Sequence, residues 1–322
     1  WPTPRSSSAD YSANGKLFQT LELNQMIDAW FSVCSKKLNI EPPAVATELT
    51  SHNAVDTAKQ LTDIESRIFL AIRPEELLDE NFREKRIHLK KSVNVEKSVL
   101  FTNLLSDLVS DTILSPGQSM KARVANIKQW LKIAAACYQL RNYNSLAAIM
   151  TVLQLSAISR LDRLWASLSG KYMDTFEFLV KIIHPNKNYK VYRNLIKPYM
   201  MSEDKKSPMA IVPYFNLFLQ DIIFANDGNR SKRIITIDGE EKSLINFDKH
   251  SKIVDTISKL EYFQVTYPEG DANNSTNASS SSSKPSVFSF SPISNNESYD
   301  TIVSNPAFEE FILFKLWATQ QF

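Results

Sequence analysis

Apolar residues along most of this chain recur at intervals of three and four positions. In residues 119–140 one stripe comprises Val124, Ile127, Trp130, Leu131, Ala134, Cys137, Tyr138 and Leu140. This period is typical of an amphipathic α-helix. It predicts further helices at 17–40, 54–71, 75–78, 99–113, 144–155, 159–168, 171–184, 188–200, 213–226 and 244–262, and a last helix near Pro306. Alternation typical of a strand occurs only in "RIITI" (233–237), so we predict an all-α fold.

Changes in composition divide the chain into three parts. Residues 1–16 are polar and rich in Pro and Ser, which predicts a disordered leader, and residues 17–50 are predicted to form an N-terminal helical segment. Residues 51–322 are predicted to form a single large helical domain. The Asn/Ser-rich stretch 269–298 inside it cannot bury enough apolar area to offset its ordering entropy, which predicts a flexible insertion. The charge run "REKRIHLKK" (83–91) is predicted to be solvated.

Composition and charge restrict the classes of partner. The 322 residues are 43% hydrophobic and 22% charged, as in a globular protein with a hydrophobic core. The net charge of +2 does not favour nucleic acid as a binding partner. No apolar run approaches the roughly 18 residues of a membrane span. Cys34 and Cys137 lie far apart among apolar neighbours, and we interpret both as reduced core residues, which fits the cytosol.

The residues that carry bond-making chemistry are not grouped in any known pattern. The six glycines are too scattered for a phosphate-binding loop, and the four histidines lack the spacing of metal ligands. No GxSxG motif is present. We therefore predict neither a cofactor nor a metal site, and a hydrolase or metal enzyme is not supported.

One apolar helix ends in a polar, acidic tip. It lies in "VPYFNLFLQDIIFANDGN" (212–229). At roughly 100° per residue, the predicted inward side carries Tyr214, Phe218, Ile222 and Ala225. The predicted outward side carries Asn216, Gln220, Ile223 and Asp227. Two interpretations remain open here: an ordinary C-terminal turn, or an apolar plug and an anion that are presented to a partner holding metal and phosphate.

Five ordered segments of the chain resemble the catalytic domain of Ras-family guanine-nucleotide exchange factors, the family that includes Son of sevenless. The segments are "HNAVDTAKQLTDIESRIFLAIRPEELL" (52–78), "LKIAAACYQLRNYNSLAAIMTVLQLSAISRLDRLW" (131–165), "KNYKVYRNLI" (187–196), "VPYFNLFLQDIIFANDGN" (212–229) and "LINFDKHSKI" (244–253). Any one of them alone would be weak, but their shared order is specific. Among fungal members of the family, the chain is more similar to the bud-site-selection exchange factor, which acts on a Rap-like GTPase, than to the main Ras activator.

The resemblance implies a protruding helical hairpin, here 213–226 with 244–262, that opens the nucleotide site of a small GTPase of the Ras/Rap-like family. Ile223 is implied to block Mg²⁺ coordination, and Asp227 to approach the phosphate-binding loop. Asn229, which completes the motif, is implied to be a catalytic residue with them. Such a protein accelerates nucleotide release without making or breaking a covalent bond.

The resemblance also implies contacts with the GTPase and internal supports for the hairpin. The implied contact residues are Tyr214, Gln220, Phe224, Gln154, Tyr189, Thr102 and Asn103. The implied supports are Arg160, Trp165, Tyr192 and Phe247.

Three departures from the family pattern leave a second hypothesis open. Gln154 stands where asparagine is common, Asn216 stands where glycine is common, and Asp227 is shorter than the glutamate of some members. The alternative is a helical scaffold that binds small GTPases or other signalling partners without releasing nucleotide. Under either hypothesis we expect a cytoplasmic protein that acts at the plasma membrane or cell cortex, brought there by other regions or partners.

Overall fold

The computed structural model describes residues 52–83, 91–200, 209–237 and 240–268, together with Ile302 and Ile312. The predicted leader, N-terminal helical segment and flexible insertion lie outside the described residues, as does the last helix apart from the buried Ile312. The helices are α1 Ala54–Leu70, α2 Pro74–Leu77, α3 Val93–Leu114, α4 Met120–Gln139, α5 Tyr143–Leu153, α6 Ser156–Ser159, α7 Asp162–Trp165, α8 Gly170–Ile182, α9 Asn186–Met200, α10 Phe215–Asp227 and α11 Phe247–Phe263. A short 3-10 turn, Leu78–Glu80, follows α2.

Helix α5 lies at the centre of the described core. Every residue of α5 except Thr151 is buried, as its nearly continuous apolar sequence requires. Helices α3 and α4 both pack against α5, and α1 packs against α3 and α4. The all-α prediction is confirmed, because helices supply most of this core.

Side-chain caps fix where several helices begin. The Asn53 side chain accepts a hydrogen bond from the Val55 amide at 2.9 Å at the start of α1, and Ser119 caps α4 through the Ala122 amide at 3.2 Å. The helix predicted over 144–155 begins at Tyr143. Its cap is Asn142, which accepts from the Ser145 amide at 3.0 Å.

The prediction of one continuous helix over 159–168 is wrong. Two short helices, α6 and α7, meet at Leu161, whose φ of −83° and ψ of 61° are not helical. The apolar spacing continues across this break, and periodicity alone therefore joined the two pieces.

A two-stranded antiparallel ribbon separates α10 from α11. Strand β1 (Lys232–Ile237) contains the predicted "RIITI", and it pairs with β2 (Glu240–Ile245) in the register Lys232 with Ile245. The sequence pattern does not reveal β2, and a helix was predicted over its last two residues. The six residues of β2 are all exposed, and an exposed ribbon carries no burial alternation that would reveal it.

Cys137 is a free, fully buried thiol, and burial raises its pKa, as expected for a core residue. Cys34 lies outside the described residues. Among the described helices, none has the length and apolar composition needed to cross a bilayer.

Candidate functional site

Helices α10 and α11 and the ribbon between them form the helical hairpin. The buried side chains of α10 are Phe215, Leu217, Phe218, Leu219 and Ile222. Gln220 and Ile223 are half-buried on the other side. Phe224 is 64% exposed, and Asp227 is exposed one turn after Ile223. The outward direction of Ile223 and Asp227 agrees with the helical wheel, while inward burial is wider than the wheel predicts.

The tip of α10 is closed by short contacts. Gly228 follows Asp227, and its amide donates to the Phe224 carbonyl at 2.9 Å. A Cβ at Gly228 would lie 2.8 Å from that carbonyl oxygen, so close approach rather than a left-handed backbone requires glycine here. The Asn229 side chain donates to the Ala225 carbonyl at 2.8 Å and so caps the helix end.

The acid at the tip is paired with a distant residue. Arg83 Nη2 lies 2.6 Å from Asp227 Oδ2, and Arg83 Nε lies 2.7 Å from Glu80 Oε2. Arg83 begins the charge run that the sequence predicted to be solvated; residues 84–90 of that run lie outside the described residues. The pair offsets the unfavourable position of a carboxylate at a helix C-terminus.

A buried polar network anchors the base of α10. The Phe215 amide donates to Asn144 Oδ1 at 3.1 Å. The Asn144 amide group donates to Thr102 Oγ1 at 2.8 Å and to Glu65 Oε1 at 2.5 Å. Ser145 Oγ donates to the other Glu65 oxygen at 2.5 Å. The network joins α1, α3 and α5 to the hairpin, and Glu65 was not singled out from the sequence because its partners are far away along the chain.

Burial dominates the ionisation of Glu65. It raises the pKa of the Glu65 carboxyl above the ordinary value of 4.5, and hydrogen bonds from Asn144 and Ser145 offset only part of the shift. Because the folded pKa is the higher one, this carboxyl's contribution to stability is complete below the unfolded pKa. It is lost as pH rises through the folded pKa.

We therefore expect the stability difference between Glu65→Gln and the native chain to depend on pH. As pH rises above about 4.5, the native chain should lose stability relative to the variant, because the neutral amide has no charge to bury. Urea unfolding at a series of pH values measures this difference. Glu75→Gln, at an exposed acid of α2, is the control, and a difference for Glu65→Gln that is as flat as the control's would contradict the prediction.

A tyrosine cluster supports the first turn of α10. The Tyr214 amide donates to the hydroxyl of the buried Tyr192 at 2.7 Å. The two rings pack edge to face at 6.2 Å, and Tyr189 packs on Tyr214 at 5.7 Å. Tyr192 thus lies against the start of α10, and its role as a support of the hairpin stays a prediction. Tyr214 is only 6% exposed, because its ring closes this cluster, so it offers a partner little surface.

An arginine clamp joins α9 to α10. Arg193 Nη1 and Nη2 donate to the two Asp221 oxygens at 2.8 and 2.9 Å, and Arg193 Nε donates to the Asn188 carbonyl at 2.9 Å. Residues Lys187, Asn188 and Tyr189 have φ of 49°, 55° and 57°, in the left-handed region that costs energy for residues other than glycine. The clamp therefore stabilises a strained turn and the flank of α10 together.

Arg193→Lys should lower the free energy of unfolding by about 1–2 kcal/mol, because a lysine keeps the charge but cannot form the planar fork. Hydrogen exchange of the α10 amides should also become faster. Chemical unfolding and exchange measurements check both effects. Arg67→Lys, at an exposed pair with Asp63 in α1, is the control, expected within about 0.5 kcal/mol of the native chain; equal effects at the two positions would contradict the special role of the clamp.

The remaining predicted contact residues lie both on the surface and in the core. Gln154, at the end of α5, and Asn103, on α3, are exposed. Thr102 is buried, and its hydroxyl donates to the Ser98 carbonyl at 2.9 Å while it accepts from Asn144. Thr102 therefore serves the internal network in the structure, and its contact with a partner stays a prediction.

The remaining predicted supports do not all lie beneath the hairpin. Phe247 is 77% exposed at the first turn of α11, so its prediction as a packed support is wrong: the ribbon leads the chain into α11 with this side chain facing outward. The Arg160 side chain is exposed and makes no hydrogen bond within the described part of the chain. Trp165 packs on Phe176 at 4.7 Å and donates to the Ile158 carbonyl at 3.0 Å.

Asn246 closes the base of the ribbon, a role that the sequence pattern does not reveal. Its side chain donates to the Arg230 carbonyl at 2.8 Å, and its amide donates to the Ser231 carbonyl at 2.9 Å. The Lys249 ammonium donates to Ser231 Oγ at 3.0 Å. These bonds tie the start of α11 to the end of α10. Within the ranges that the structure describes, no group of His, Cys, Asp and Glu side chains could hold a metal ion.

Known proteins that resemble the chain share one domain. The chain matches the RasGEF domain over residues 56–251. Ras guanine nucleotide exchange factor M of Dictyostelium discoideum is 28% identical over 230 residues, which are 71% of this chain and 23% of that protein. Ras guanine nucleotide exchange factor B of the same organism is 30% identical over 214 residues, 66% of this chain and 13% of that protein. Guanine nucleotide exchange factor SDC25 of Saccharomyces cerevisiae is 28% identical over 215 residues, 65% of this chain and 16% of that protein.

This chain spans less than a quarter of the length of those relatives. The domain match, however, covers more than half of this chain and includes the core helices, the ribbon and the first turn of α11. The chain therefore belongs to the RasGEF domain family.

Proposed function

We propose that this chain accelerates the release of GDP from a small GTPase of the Ras/Rap-like family. The observation that carries the proposal is the outward face of α10, where the half-buried Ile223 is followed one turn later by the exposed Asp227. Membership of the RasGEF family and the names of the relatives support the same activity.

The chemistry of bound GDP explains what these two side chains do. Mg²⁺ requires oxygen ligands in near-octahedral geometry, and it neutralises the charge of the nucleotide phosphates. Ile223 supplies no oxygen, so its insertion near the Mg²⁺ position displaces the ion without replacing it. A carboxylate from Asp227 beside the phosphates adds repulsion between like charges.

Because of thermodynamic linkage, displacement of Mg²⁺ and repulsion of the phosphates are sufficient for exchange. A nucleotide held at about picomolar affinity is bound by roughly 16 kcal/mol. When an exchange factor binds the GTPase, it lowers the affinity of the GTPase for nucleotide. Bound nucleotide lowers the affinity of the GTPase for the exchange factor by the same factor. No covalent step is needed, and the protein does not have to distinguish GDP from GTP.

The outward side chains of α10 can keep their position against the GTPase only if the base of the hairpin is rigid. The Phe215 amide is held by Asn144, the Tyr214 amide by Tyr192, and Asp221 by Arg193. Three anchors, one just before α10, one at its first residue and one at its middle, fix the direction of the helix. The outward residues Gln220 and Phe224 extend the contact surface beside Ile223. Gln154, Asn103 and Tyr189 complete the proposed partner surface, with Asn229 holding the helix end.

The proposal also covers the group of organisms, the GTPase and the cellular location. We place the protein among fungal exchange factors for a Rap-like GTPase with a role in bud-site selection and cell polarity. It acts from the cytoplasm at the plasma membrane or cell cortex, where other regions or partners recruit it. These parts rest on the family resemblance of the sequence alone.

A panel of GTPases loaded with fluorescent GDP tests the activity. Release should be faster with the chain present for a Ras or Rap-like GTPase and unchanged for a Rho GTPase. Faster release from the Rap-like member than from Ras supports the finer assignment, and the reverse order overturns it. Binding to these GTPases without acceleration of release from any would show a scaffold instead of an exchange factor.

A further inference from the structure

The tip of the hairpin contains a chain of three charged groups. Asp227 Oδ2 lies 2.6 Å from Arg83 Nη2, and Arg83 Nε lies 2.7 Å from Glu80 Oε2. Arg83 and Asp227 are separated by 144 positions in the sequence, so only the fold brings them together. The carboxylate to which we assign phosphate repulsion is thus neutralised by a cation in the free protein.

Glu80 is an unusual partner for Arg83, because it is almost completely buried. Only 6% of the residue is exposed, and its Oε1 is buried without a hydrogen-bond partner among the described residues. Asp79 and Glu80 both have φ of 54°, a strained backbone for residues with side chains. A buried carboxylate with one unsatisfied oxygen attracts a cation strongly, since an unpaired buried charge is costly. Glu80 therefore competes with Asp227 for the Arg83 guanidinium.

Asp227 cannot act on a phosphate group while it is paired in this way. Arg83 offsets its charge and also holds its oxygen at hydrogen-bond distance. The negative end of the α10 dipole adds to the attraction of this corner for the guanidinium. Since Glu80 and Asp227 share one guanidinium, Glu80 weakens the hold of Arg83 on Asp227.

We propose that Arg83 is a positioning residue that acts through Asp227: their ion pair must open before Asp227 reaches the phosphates, and Arg83 thereby limits the rate of exchange. This inference rests on the proposed function. It assigns opposite effects to the two partners of the guanidinium, because loss of Arg83 frees Asp227, whereas loss of the Glu80 charge leaves Arg83 bound to Asp227 more tightly.

Steady-state exchange kinetics with variants of the full chain test the restraint. Arg83→Gln should raise kcat for GDP release by up to about fivefold, the range expected for an exposed ion pair, with little change in KM. Glu80→Gln should lower kcat, and Arg83→Lys should remain near the native rate. In the Asp227→Asn background, Arg83→Gln should have no effect. Arg67→Gln, at an exposed pair of α1, is the matched control and should leave kcat unchanged.

Loss of Arg83 leaves Glu80 as an unpaired buried charge, which lowers the stability of the folded protein. The double variant Glu80→Gln with Arg83→Gln removes that charge, and it should show the same increase in kcat as Arg83→Gln. A decrease of kcat in both Arg83→Gln and the double variant would overturn the restraint, as would an equal effect of Arg83→Gln in the native and the Asp227→Asn backgrounds. If the native chain accelerates release and Arg83→Gln does not change it, only this inference fails; if the native chain accelerates release from no GTPase, the proposed function fails as well.

Discussion

Asp227→Ala is expected to lower the maximal rate of GDP release about ten- to thirtyfold while complex formation with the nucleotide-free GTPase is largely retained. A carboxylate about 8 Å from a phosphate, at an effective dielectric constant of about 20, contributes ~2 kcal/mol of repulsion. That energy corresponds to about thirtyfold in rate. The repulsion acts only while phosphate is present, so the variant should lose rate rather than affinity for the empty GTPase.

The matched control is Asp248→Ala on the same hairpin. Asp248 is also an exposed acid paired with an arginine, Arg233, at 2.7 Å. It lies at the start of α11 and not on the outward face of α10, so its loss should change the rate by less than about twofold. Stopped-flow release of fluorescent GDP gives the rate, and a pull-down with nucleotide-free GTPase gives binding. Parallel losses of rate and binding for Asp227→Ala would contradict the assigned role.

Asn144→Ala is expected to lower the free energy of unfolding by about 3 kcal/mol or more. The change leaves the Phe215 amide and one Glu65 oxygen without this partner in a buried site. The Thr102 hydroxyl loses the Asn144 donor but keeps its bond to the Ser98 carbonyl. Each unsatisfied buried group costs about 1–3 kcal/mol. Because one of these groups is the base of α10, the hairpin should loosen along with the core.

Two measurements separate those effects. Urea unfolding reports the global loss, and hydrogen exchange at the Phe215 amide reports the anchoring of α10. Asn103→Ala, at an exposed asparagine of α3 outside the buried network, should stay within about 0.5 kcal/mol of the native chain. A loss below about 1 kcal/mol for Asn144→Ala would show that the network is not needed to hold the hairpin.

The candidate site was predictable where it depends on the position of a residue along one helix. The wheel of α10 assigned Ile223 and Asp227 to the outward side because helical geometry fixes their angle. The wheel gave no warning that Leu217 and Leu219 are buried too, since α10 is enclosed from several directions by neighbours that are distant in sequence. Phe247 shows the opposite error: an apolar residue type suggested a support, yet its side chain faces outward.

Local periodicity determined by itself that the protein is built from helices, and it gave the bounds of α1, α4 and α10 to within a few residues, because burial on one side leaves a repeat in the sequence. The tertiary structure alone decided the polar partners. Arg83 reaches Asp227, and Asn144 joins Glu65 to the Phe215 amide, across separations for which no sequence period exists. A charged or amide side chain has the same appearance in a sequence whether it meets water or a buried partner, and only the packing of the helices determines which of the two it meets.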